Sequence, residues 1–445
     1  MASSQSLTCH FFFFFSLVTF SYAATDSSKP TAAYHFSIRK NETTRQYYFE
    51  YELGSPPTLV DALIDLGAPS VWIDCRSFVS SSYKRVSCGS DRCKKAHGSM
   101  CIDCNSIPNP HPKPGCSNTT CAVLGYNRFR QYLTAQELSL DTLKVSSTDG
   151  RYIHLDYDLP KFQFSCSYDD TIVTNFPGEY TKGLVGFART KISYASQISS
   201  SFKLAKKFAL CIPSSTENGL GSVFIGGGPY YMPPRIEDQS LSFVSTPLLV
   251  NPVNIGPSYS TYADPSDEYF IIVKGIEVSG KRAAFNSSLL SFDKEGYGGT
   301  KISTIDPFTT LQSSIYNRLV KDFVKAATGN KIKRVKSVAP FGACFDSRTA
   351  PKTITGPAVP DIDLVLEGKT SVRLRLYGSN SMVEVKKNVI CLAFIDGGAQ
   401  PNQSIVLGGH QLEDRLLEFD LAASKLGFTS SLLVSNTSCS HDRLF

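Results

Sequence analysis

The sequence predicts an all-β protein of two lobes, because one pattern occurs twice along the chain. The extended segment Thr58–Asp65 ends in an acid at a turn, and a segment that begins at Lys301 delivers a second acid, Asp306, 241 residues after Asp65. A step of two apolar residues and a glycine follows each acid, within Gly183–Gly186 and Ile405–Gly409. This repeat predicts two lobes that each present a carboxylate to a shared cleft. The length of 445 residues agrees, since it exceeds what one hydrophobic core normally holds.

Short segments with strand-like patterns support the all-β class. Gln46–Leu53 alternates apolar and polar side chains with a period of two and ends at a Gly-Pro turn, as expected of a half-buried strand. One clear helix is predicted at Leu311–Ala327, where apolar residues share one face and Gly329 follows. The fold class is therefore all-β with a few short helices. Further strands are predicted at Lys161–Cys166, Ser222–Ile225, Tyr269–Val278, Ile362–Leu366, Ser371–Leu376 and Leu416–Phe428.

The order of segments predicts an exported protein with two lobes. Residues 1–24 contain no acid and carry the apolar core Phe11–Phe20 before small residues, which is typical of a cleavable secretory signal. Gly226–Pro234 is dense in glycine and proline and interrupts both periodicities, so the lobes are predicted to span residues 25–235 and 236–433. Residues 434–445 are predicted to form a tail. No later segment reaches membrane-spanning length, and no membrane association is expected.

Cysteine usage also favours export. Of thirteen cysteines, Cys9 lies in the predicted signal, and the other twelve form an even set that an oxidising compartment would join into up to six disulfides. The pair Cys101 and Cys104 has the spacing of half a zinc site, but no pair of histidines at ligand spacing accompanies it. We therefore predict disulfides, and neither a metal nor a cofactor. The predicted disulfide cysteines are Cys75, Cys88, Cys93, Cys101, Cys104, Cys116, Cys121, Cys166, Cys211, Cys344, Cys391 and Cys439.

Five Asn-X-Ser/Thr sequons mark candidate sites for N-linked glycans in an exported chain. We expect these asparagines to lie at the surface. They are Asn41, Asn118, Asn286, Asn402 and Asn436.

The paired acids, the paired apolar-Gly steps and the closing segment Gly409–Asp420 together resemble the pepsin-like aspartic peptidases. The chain is most similar to the secreted plant branch, which includes xylanase and endoglucanase inhibitor proteins and basic seed globulins. The resemblance covers residues 40–433. It implies a bilobal pepsin-like fold in which Asp65 and Asp306 occupy the positions of the two catalytic acids.

Both acid motifs depart from the Asp-Thr/Ser-Gly pattern of active family members. Asp65 is followed by Leu66 and Gly67, and Asp306 by Pro307 and Phe308, so hydroxyl groups are missing and a ring replaces a glycine. Each lost charge-assisted hydrogen bond costs about 1.5–3 kcal/mol, and every 1.4 kcal/mol is about tenfold in rate. Two or three missing bonds would slow catalysis on the order of a thousandfold, and Phe308 would obstruct the catalytic water. We expect Asp65 and Asp306 to be vestigial or impaired as catalytic groups.

The segment Cys121–Glu137 corresponds to the flap that covers the cleft in active relatives, and it contains Tyr126 and Tyr132 but no Gly-rich turn. Neither tyrosine is assigned a role, because both are equally expected to be packing aromatics. His410 lies in the closing segment and is predicted to form structural hydrogen bonds rather than to act in catalysis.

The residues exclude several other chemistries. The sequence contains no Gly-X-Ser-X-Gly elbow, no zinc-protease motif, no phosphate loop and no dinucleotide fingerprint. The formal net charge is +6, with a basic run at Lys331–Lys336. Such a run is usually a solvated face; export argues against nucleic acid as a partner, whereas an acidic wall polysaccharide would suit it.

Three hypotheses for function follow. In the first, the chain is a catalytically impaired plant-defence protein of the cell wall or apoplast that binds microbial glycoside hydrolases, xylanases or endoglucanases, and inhibits them. The resemblance places inhibitory loops in the second lobe, some beside Asp396–Ser404, where a glycan on Asn402 would interfere with binding. In the second, it is an acid aspartic-type endopeptidase with an atypical site. In the third, it is a storage or binding globulin without an enzyme target.

Overall fold

The computed structural model describes Met1 and residues 33–440, apart from residues 99, 103–118, 130, 169–180, 217–218, 257–263 and 370. The predicted secretory signal and the last five residues lie outside this range, as do Cys104, Cys116 and Asn118. The described residues from 33 onwards belong to one compact unit.

Strands dominate the described part of the chain. Most of them join one extended sheet, and three smaller sheets lie in the second half of the chain. The strands before residue 230 are β1 Ala33–Lys40, β2 Tyr47–Leu53, β3 Thr58–Asp65, β4 Trp72–Asp74, β5 Lys84–Arg85, β6 Met100–Ile102, β7 Thr120–Asn127, β8 Tyr132–Thr148, β9 Ile153–Ser167, β10 Gly183–Gly186, β11 Lys207–Cys211 and β12 Gly221–Ile225. Those that follow are β13 Val244–Leu249, β14 Phe270–Ile271, β15 Val273–Val278, β16 Lys281–Arg282, β17 Thr300–Ile302, β18 Thr309–Leu311, β19 Arg334–Val335, β20 Cys344–Asp346, β21 Lys352–Thr353, β22 Gly356–Pro357, β23 Ile362–Leu366, β24 Val372–Leu376, β25 Met382–Lys386, β26 Val389–Leu392, β27 Phe394–Asp396, β28 Ile405–Leu407, β29 Leu416–Asp420 and β30 Lys425–Phe428.

The helices are short, with one exception. The α-helices are α1 Asp91–Lys95, α2 Tyr194–Ser201, α3 Ser313–Gly329, α4 Gly378–Ser381 and α5 Gly409–Leu412. Single 3₁₀ turns occur at Gln239–Ser242, Ser287–Leu290, Ser347–Thr349 and Leu432–Ser435. The long helix α3 packs Ile315, Leu319 and Phe323 into the core and leaves its polar face in solvent, as its 3.6-residue period requires.

The predicted elements agree closely with the observed ones. The strand at Ile362–Leu366 has the predicted bounds, and the helix begins two residues later than predicted, at Ser313. The segment Leu416–Phe428, predicted as one strand, is a hairpin of β29 and β30, because a turn around Ser424, which has φ 50°, reverses the chain. The predicted lobe division at residues 235 and 236 falls between β12 and β13 and stays a prediction.

The repeated motifs lie at the ends of two parallel strand pairs. Strand β3 lies parallel to β10, and β17 lies parallel to β28. Such pairs carry apolar residues on both faces when they are covered on both sides, which explains the uninterrupted apolar run at the end of β3. Ala62, Leu63 and Ile64 are almost fully buried.

Strands from the two halves of the chain also pair with each other. Strand β11 is antiparallel to β29, and Phe208 stacks on Phe419 with ring centroids 4.8 Å apart. A buried ion pair reinforces this junction, because Lys40 Nζ lies 2.6 Å from Glu413 Oε1. Burial alone would raise the pKa of Glu413, but Lys40 and the other neighbours hold that pKa below its ordinary value.

Five disulfides link described cysteines, in agreement with the predicted disulfide framework. Ten of the twelve predicted cysteines take part, and the other two lie outside the described residues. The pairs are Cys75–Cys166, Cys88–Cys101, Cys93–Cys121, Cys211–Cys439 and Cys344–Cys391. The widest of these crosslinks, Cys211–Cys439, encloses 228 residues and attaches the C-terminal segment to β11.

Removal of the Cys211–Cys439 crosslink should therefore destabilise the protein more than removal of a short-range one. Loop-closure entropy gives about 5 kcal/mol for a loop of this length and about 3 kcal/mol for the 13-residue loop of Cys88–Cys101. We expect the double Cys→Ala variant of the first pair to unfold at lower denaturant concentration than that of the second. Equal midpoints in guanidinium titrations would contradict a dominant role for chain entropy.

Candidate functional site

The register of the two parallel strand pairs identifies the residue equivalent to Asp65. In the first pair, Asp65 lies opposite Gly186. In the second pair, Ile302 lies opposite Leu407, and the next residue, Ser303, donates its backbone N–H to the Leu407 carbonyl (3.0 Å). The strand position equivalent to Asp65 is therefore occupied by Ser303.

The prediction that Asp306 is the counterpart of Asp65 is accordingly wrong in its alignment. Asp306 lies three residues further on, in the turn, and its Oδ2 accepts a hydrogen bond from Ser303 Oγ (2.7 Å). Among the described residues, no hydrogen bond or ion pair joins Asp65 to Asp306. Both positions lie in similar extended runs before a turn, so the sequence alone favoured the only acid in the second run.

The hydroxyl that was expected to be missing from the second motif is supplied by Thr304. Its Oγ1 donates to the carbonyl of Ile64 (2.7 Å) and accepts from the N–H of Leu66 (3.3 Å). This buried side chain therefore bonds to the backbone on both sides of Asp65 and ties the two motifs together. Leu66, which is equivalent to Thr304, has no hydroxyl, so the reciprocal bonds cannot form.

The carboxylate of Asp65 is buried and partnered by two groups. The N–H of Gly67 donates to Oδ1 (2.7 Å), and Arg128 Nε lies 3.4 Å from Oδ2. Burial raises the pKa of Asp65, while Arg128 and the Gly67 N–H favour the ionised form and offset part of this rise. Asp65 is 3% exposed, so its carboxylate has almost no direct contact with solvent.

A second acid, Glu268, completes a charged cluster that the sequence did not reveal. Its Oε1 lies 2.8 Å from Arg128 Nη2 and 3.2 Å from Lys301 Nζ. Burial opposes ionisation, yet Lys301 and Arg128 together lower the pKa of Glu268 to about 2. We call Asp65, Arg128, Glu268 and Lys301 the cleft cluster. Its two cations and two carboxylates balance, so no net charge remains in the cluster when all four are ionised.

Gly67 makes this arrangement sterically possible. A Cβ on Gly67 would lie 2.6 Å from Arg128 Nη2 and 2.7 Å from Glu268 Oε1, inside contact distance of both. The glycine of the first motif is thus retained at a place where an ion pair packs directly on the backbone.

The cluster borders a cleft of about 630 Å³. One wall is the β7–β8 hairpin, in which Asn127 pairs with Tyr132, so a flap is present although its turn lacks glycine. Tyr126 lines the cleft, whereas Tyr132 does not. The lining residues are Thr44, Gln46, Tyr126, Arg128, Phe129, Ile255, Gly256, Glu268, Lys301, Ile305, Asp306, Pro307, Asn402 and Gln403.

Phe308 was expected to obstruct the catalytic water, and the structure contradicts this. Its ring packs at 5.0 Å from Phe341 and 5.6 Å from His410, and it does not line the cleft. The backbone of Phe308 approaches Gly408 so closely that a Cβ there would collide with it. The Phe308 side chain therefore packs against Phe341 and His410 and is not part of the cleft wall.

His410 has a structural environment, in line with its predicted role. Its Nδ1 lies 3.2 Å from Glu413 Oε2 and its Nε2 lies 3.0 Å from the carbonyl of Met382. Both ring nitrogens are therefore engaged inside the protein, away from the cleft.

The sequon asparagines of the described chain lie at or near the surface. Asn286, Asn402 and Asn436 are exposed, and Asn41 is half-buried.

Within the described residues, no group of three or more His, Cys, Asp or Glu side chains could hold a metal ion. In the same part of the chain, no helix has the length and apolarity needed to span a bilayer.

Comparisons with known proteins give a consistent result. Family models described as xylanase inhibitor N-terminal and C-terminal match residues 47–227 and 268–430. A curated relative, "Probable aspartic proteinase GIP2" of Nicotiana benthamiana, is 45% identical over 91% of this chain and 90% of its own length. Basic 7S globulin of Glycine max is 30% identical over 97% and 94%, respectively. The crystal structure of edgp superimposes with a TM-score of 0.87 at 40% identity, covering 92% of this chain and 98% of its own.

The cleft cluster predicts a pH-dependent contribution to stability. The pKa of Glu268 is lowered in the folded state, so its stabilising effect is fully present above about pH 4.5 and is lost as the pH falls towards 2. Glu268→Gln should lower the free energy of unfolding by roughly 2–4 kcal/mol at pH 6, and this difference should shrink on acidification. The measurement is urea unfolding of both proteins across that pH range.

The matched control is Glu295→Gln, which alters an exposed acid outside any ion pair of the described residues. It should change the free energy of unfolding by less than about 0.5 kcal/mol at every pH. A Glu268→Gln effect that stays constant down to pH 2 would argue against the ion pairs as its cause.

Proposed function

The chain belongs to the xylanase inhibitor family of pepsin-like proteins, and we propose that it is an exported inhibitor of a microbial glycoside hydrolase without peptidase activity. The proposed lack of peptidase activity rests on Ser303, which occupies the strand position equivalent to Asp65. Aspartic peptidases need two carboxylates that share one proton, so that one activates water while the other donates. A serine hydroxyl cannot take either part of that exchange near neutral or acid pH.

The surroundings of Asp65 support the same conclusion. Arg128 lies 3.4 Å from the carboxylate and extends from the flap hairpin, which in a peptidase closes over the substrate. Its guanidinium also holds Glu268, so it would have to leave two acids before a peptide could approach Asp65. The name of the Nicotiana relative includes "aspartic proteinase", and a peptidase is therefore the alternative to be tested.

An exposed, preorganised surface is suited to contact a hydrolase. The loop from Asp396 to Asn402 is exposed at most of its residues. It is held in place because Asp396 Oδ1 accepts hydrogen bonds from Ser313 Oγ (2.6 Å) and from the N–H of Gly398 (2.9 Å). Gln312 fixes the next turn by donating to the Ala399 carbonyl (3.1 Å). A loop that is held in one conformation loses less entropy on binding. We propose that this loop contacts the hydrolase when Asn402, at its end, carries no glycan.

Export is part of the proposal. Five disulfides among the described residues are typical of a protein that folds in an oxidising compartment, and cytosolic conditions would keep such thiols reduced. The predicted secretory signal and the exposed sequons are consistent with this location. We therefore propose that the protein acts outside the cell, at the plant cell wall or in the apoplast.

The first test separates peptidase from inhibitor. The purified protein should show no pepstatin-sensitive cleavage of a denatured protein between pH 3 and 6, and it should reduce the activity of at least one fungal xylanase or endoglucanase. Asp65→Asn should leave that inhibition within about twofold of the wild type, since Asp65 is buried. Cleavage that Asp65→Asn abolishes would establish the peptidase instead. Absence of activity in both assays would favour the third hypothesis, a storage or binding globulin; the Glycine relative is named a globulin.

The second test addresses the loop. Ala399→Trp places a large ring on the exposed loop and should weaken inhibition at least tenfold, because it disrupts a fitted interface. The matched control, Ala422→Trp, makes the same change at an exposed alanine of the β29–β30 turn and should have less than a twofold effect. Equal effects of the two substitutions would exclude the loop as the contact surface.

A further inference from the structure

The second half of the chain carries a group of exposed cations that are not adjacent in sequence. Lys331, Lys333 and Arg334 lie between α3 and the end of β19, and Lys386 and Lys387 lie at the turn between β25 and β26. All five are exposed. We call these five residues the basic surface.

The register of the sheet β19-β20-β26-β25 brings the two groups together. The N–H of Asp346 donates to the Lys333 carbonyl (2.9 Å), Asp346 lies opposite Val389, and Val389 lies opposite Lys386. Since neighbouring strands are about 4.8 Å apart, three such steps place Lys333 and Lys386 roughly 14 Å apart along one line across the sheet. The basic run of the sequence is thus extended by two lysines more than fifty residues away.

The acid within this line, Asp346, is paired with Arg348 and also interacts with the charge of Lys333, so it offsets the lysines only in part. Arg348 binds Asp346 with both ends of its guanidinium, Nε to Oδ1 (2.9 Å) and Nη2 to Oδ2 (2.7 Å). These bonds lower the pKa of Asp346 to about 2. No member of the basic surface forms an ion pair with a carboxylate of the described residues.

Several other cations at the surface of the described chain differ in this respect. Arg39, Lys207, Lys274 and Arg373, for example, each lie within 4 Å of an acid. The basic surface therefore places five exposed cations without an ion-pair partner among the described residues at one small sheet. A line of such cations fits an extended polyanion that remains hydrated.

We propose that the basic surface binds a linear acidic polysaccharide of the polyuronate class. Its cations are mainly lysines, which act as point charges and suit repeated single carboxylates. The aromatic residues nearest in sequence, Phe341 and Phe345, are buried, so the surface offers no stacking platform for the bases of a single-stranded nucleic acid. The site is distinct from the loop proposed to bind the hydrolase.

The test is retention on immobilised polygalacturonate at low ionic strength, with elution by a salt gradient. The triple variant Lys333→Gln, Lys386→Gln, Lys387→Gln should bind on the order of 100-fold more weakly, since each cation near an anionic surface contributes about 1 kcal/mol. The control triple variant Lys94→Gln, Lys191→Gln, Lys281→Gln removes the same charge from exposed positions elsewhere and should weaken binding less than about fivefold. Near-UV circular dichroism verifies that both variants are folded.

Three results would overturn the proposal. Equal losses in the two triple variants would mean that net charge alone retains the protein. Undiminished retention on fully methyl-esterified polymer would mean that the carboxylates are not recognised. Single-stranded DNA of equal charge serves as the comparison polymer, and tighter binding to it at the same salt concentration would assign the surface to a different class of polyanion.

Discussion

The hydroxyl of Thr304 is the contact on which the geometry of the cleft depends. It bonds to the backbone immediately before and immediately after Asp65, across a separation of about 240 residues. Because the group is fully buried, losing either partner would leave an unsatisfied polar atom at a cost of about 1–3 kcal/mol. This constraint fixes the ends of β3 and β17 against each other, and the flap and the cleft walls are built around that junction.

The geometry of the junction contrasts with its chemistry. Thr304 holds the two strand ends together, yet Ser303 presents a neutral hydroxyl at the strand position equivalent to Asp65. Arg128 lies beside the Asp65 carboxylate, and Lys301 lies beside Glu268. Within the cleft cluster, two carboxylates and two cations satisfy one another. This mutual ion pairing supports the proposal that the cleft does not act as a peptidase.

The fold was largely predictable because its signals are local or repeated. Alternation in Gln46–Leu53, the helical period of Leu311–Ala327 and the doubled motif all follow from short-range patterns. The site was less predictable, since the equivalence of Ser303 and Asp65 depends on the register between β17 and β28, which are about 100 residues apart. In the sequence, Asp306 is the recognisable candidate for a catalytic acid, and nothing marks the nearby Ser303 as the equivalent of Asp65. The partners of Asp65 come from a flap and from a strand near residue 268, and no sequence spacing connects them.

The topology explains how such a protein can acquire new surfaces without disturbing the junction. Strand β18 ends at Leu311 and lies parallel to β27, which begins at Phe394, so the chain between them leaves the central sheet and returns to a neighbouring position. This segment contains α3 and the small sheet that bears the basic surface. The loop from Asp396 to Asn402 follows directly after β27. Changes there alter neither the register of Ser303 nor the bonds of Thr304, because those depend on β3, β17 and β28. A binding function can therefore diversify on this segment while the core pairing stays constrained by Thr304.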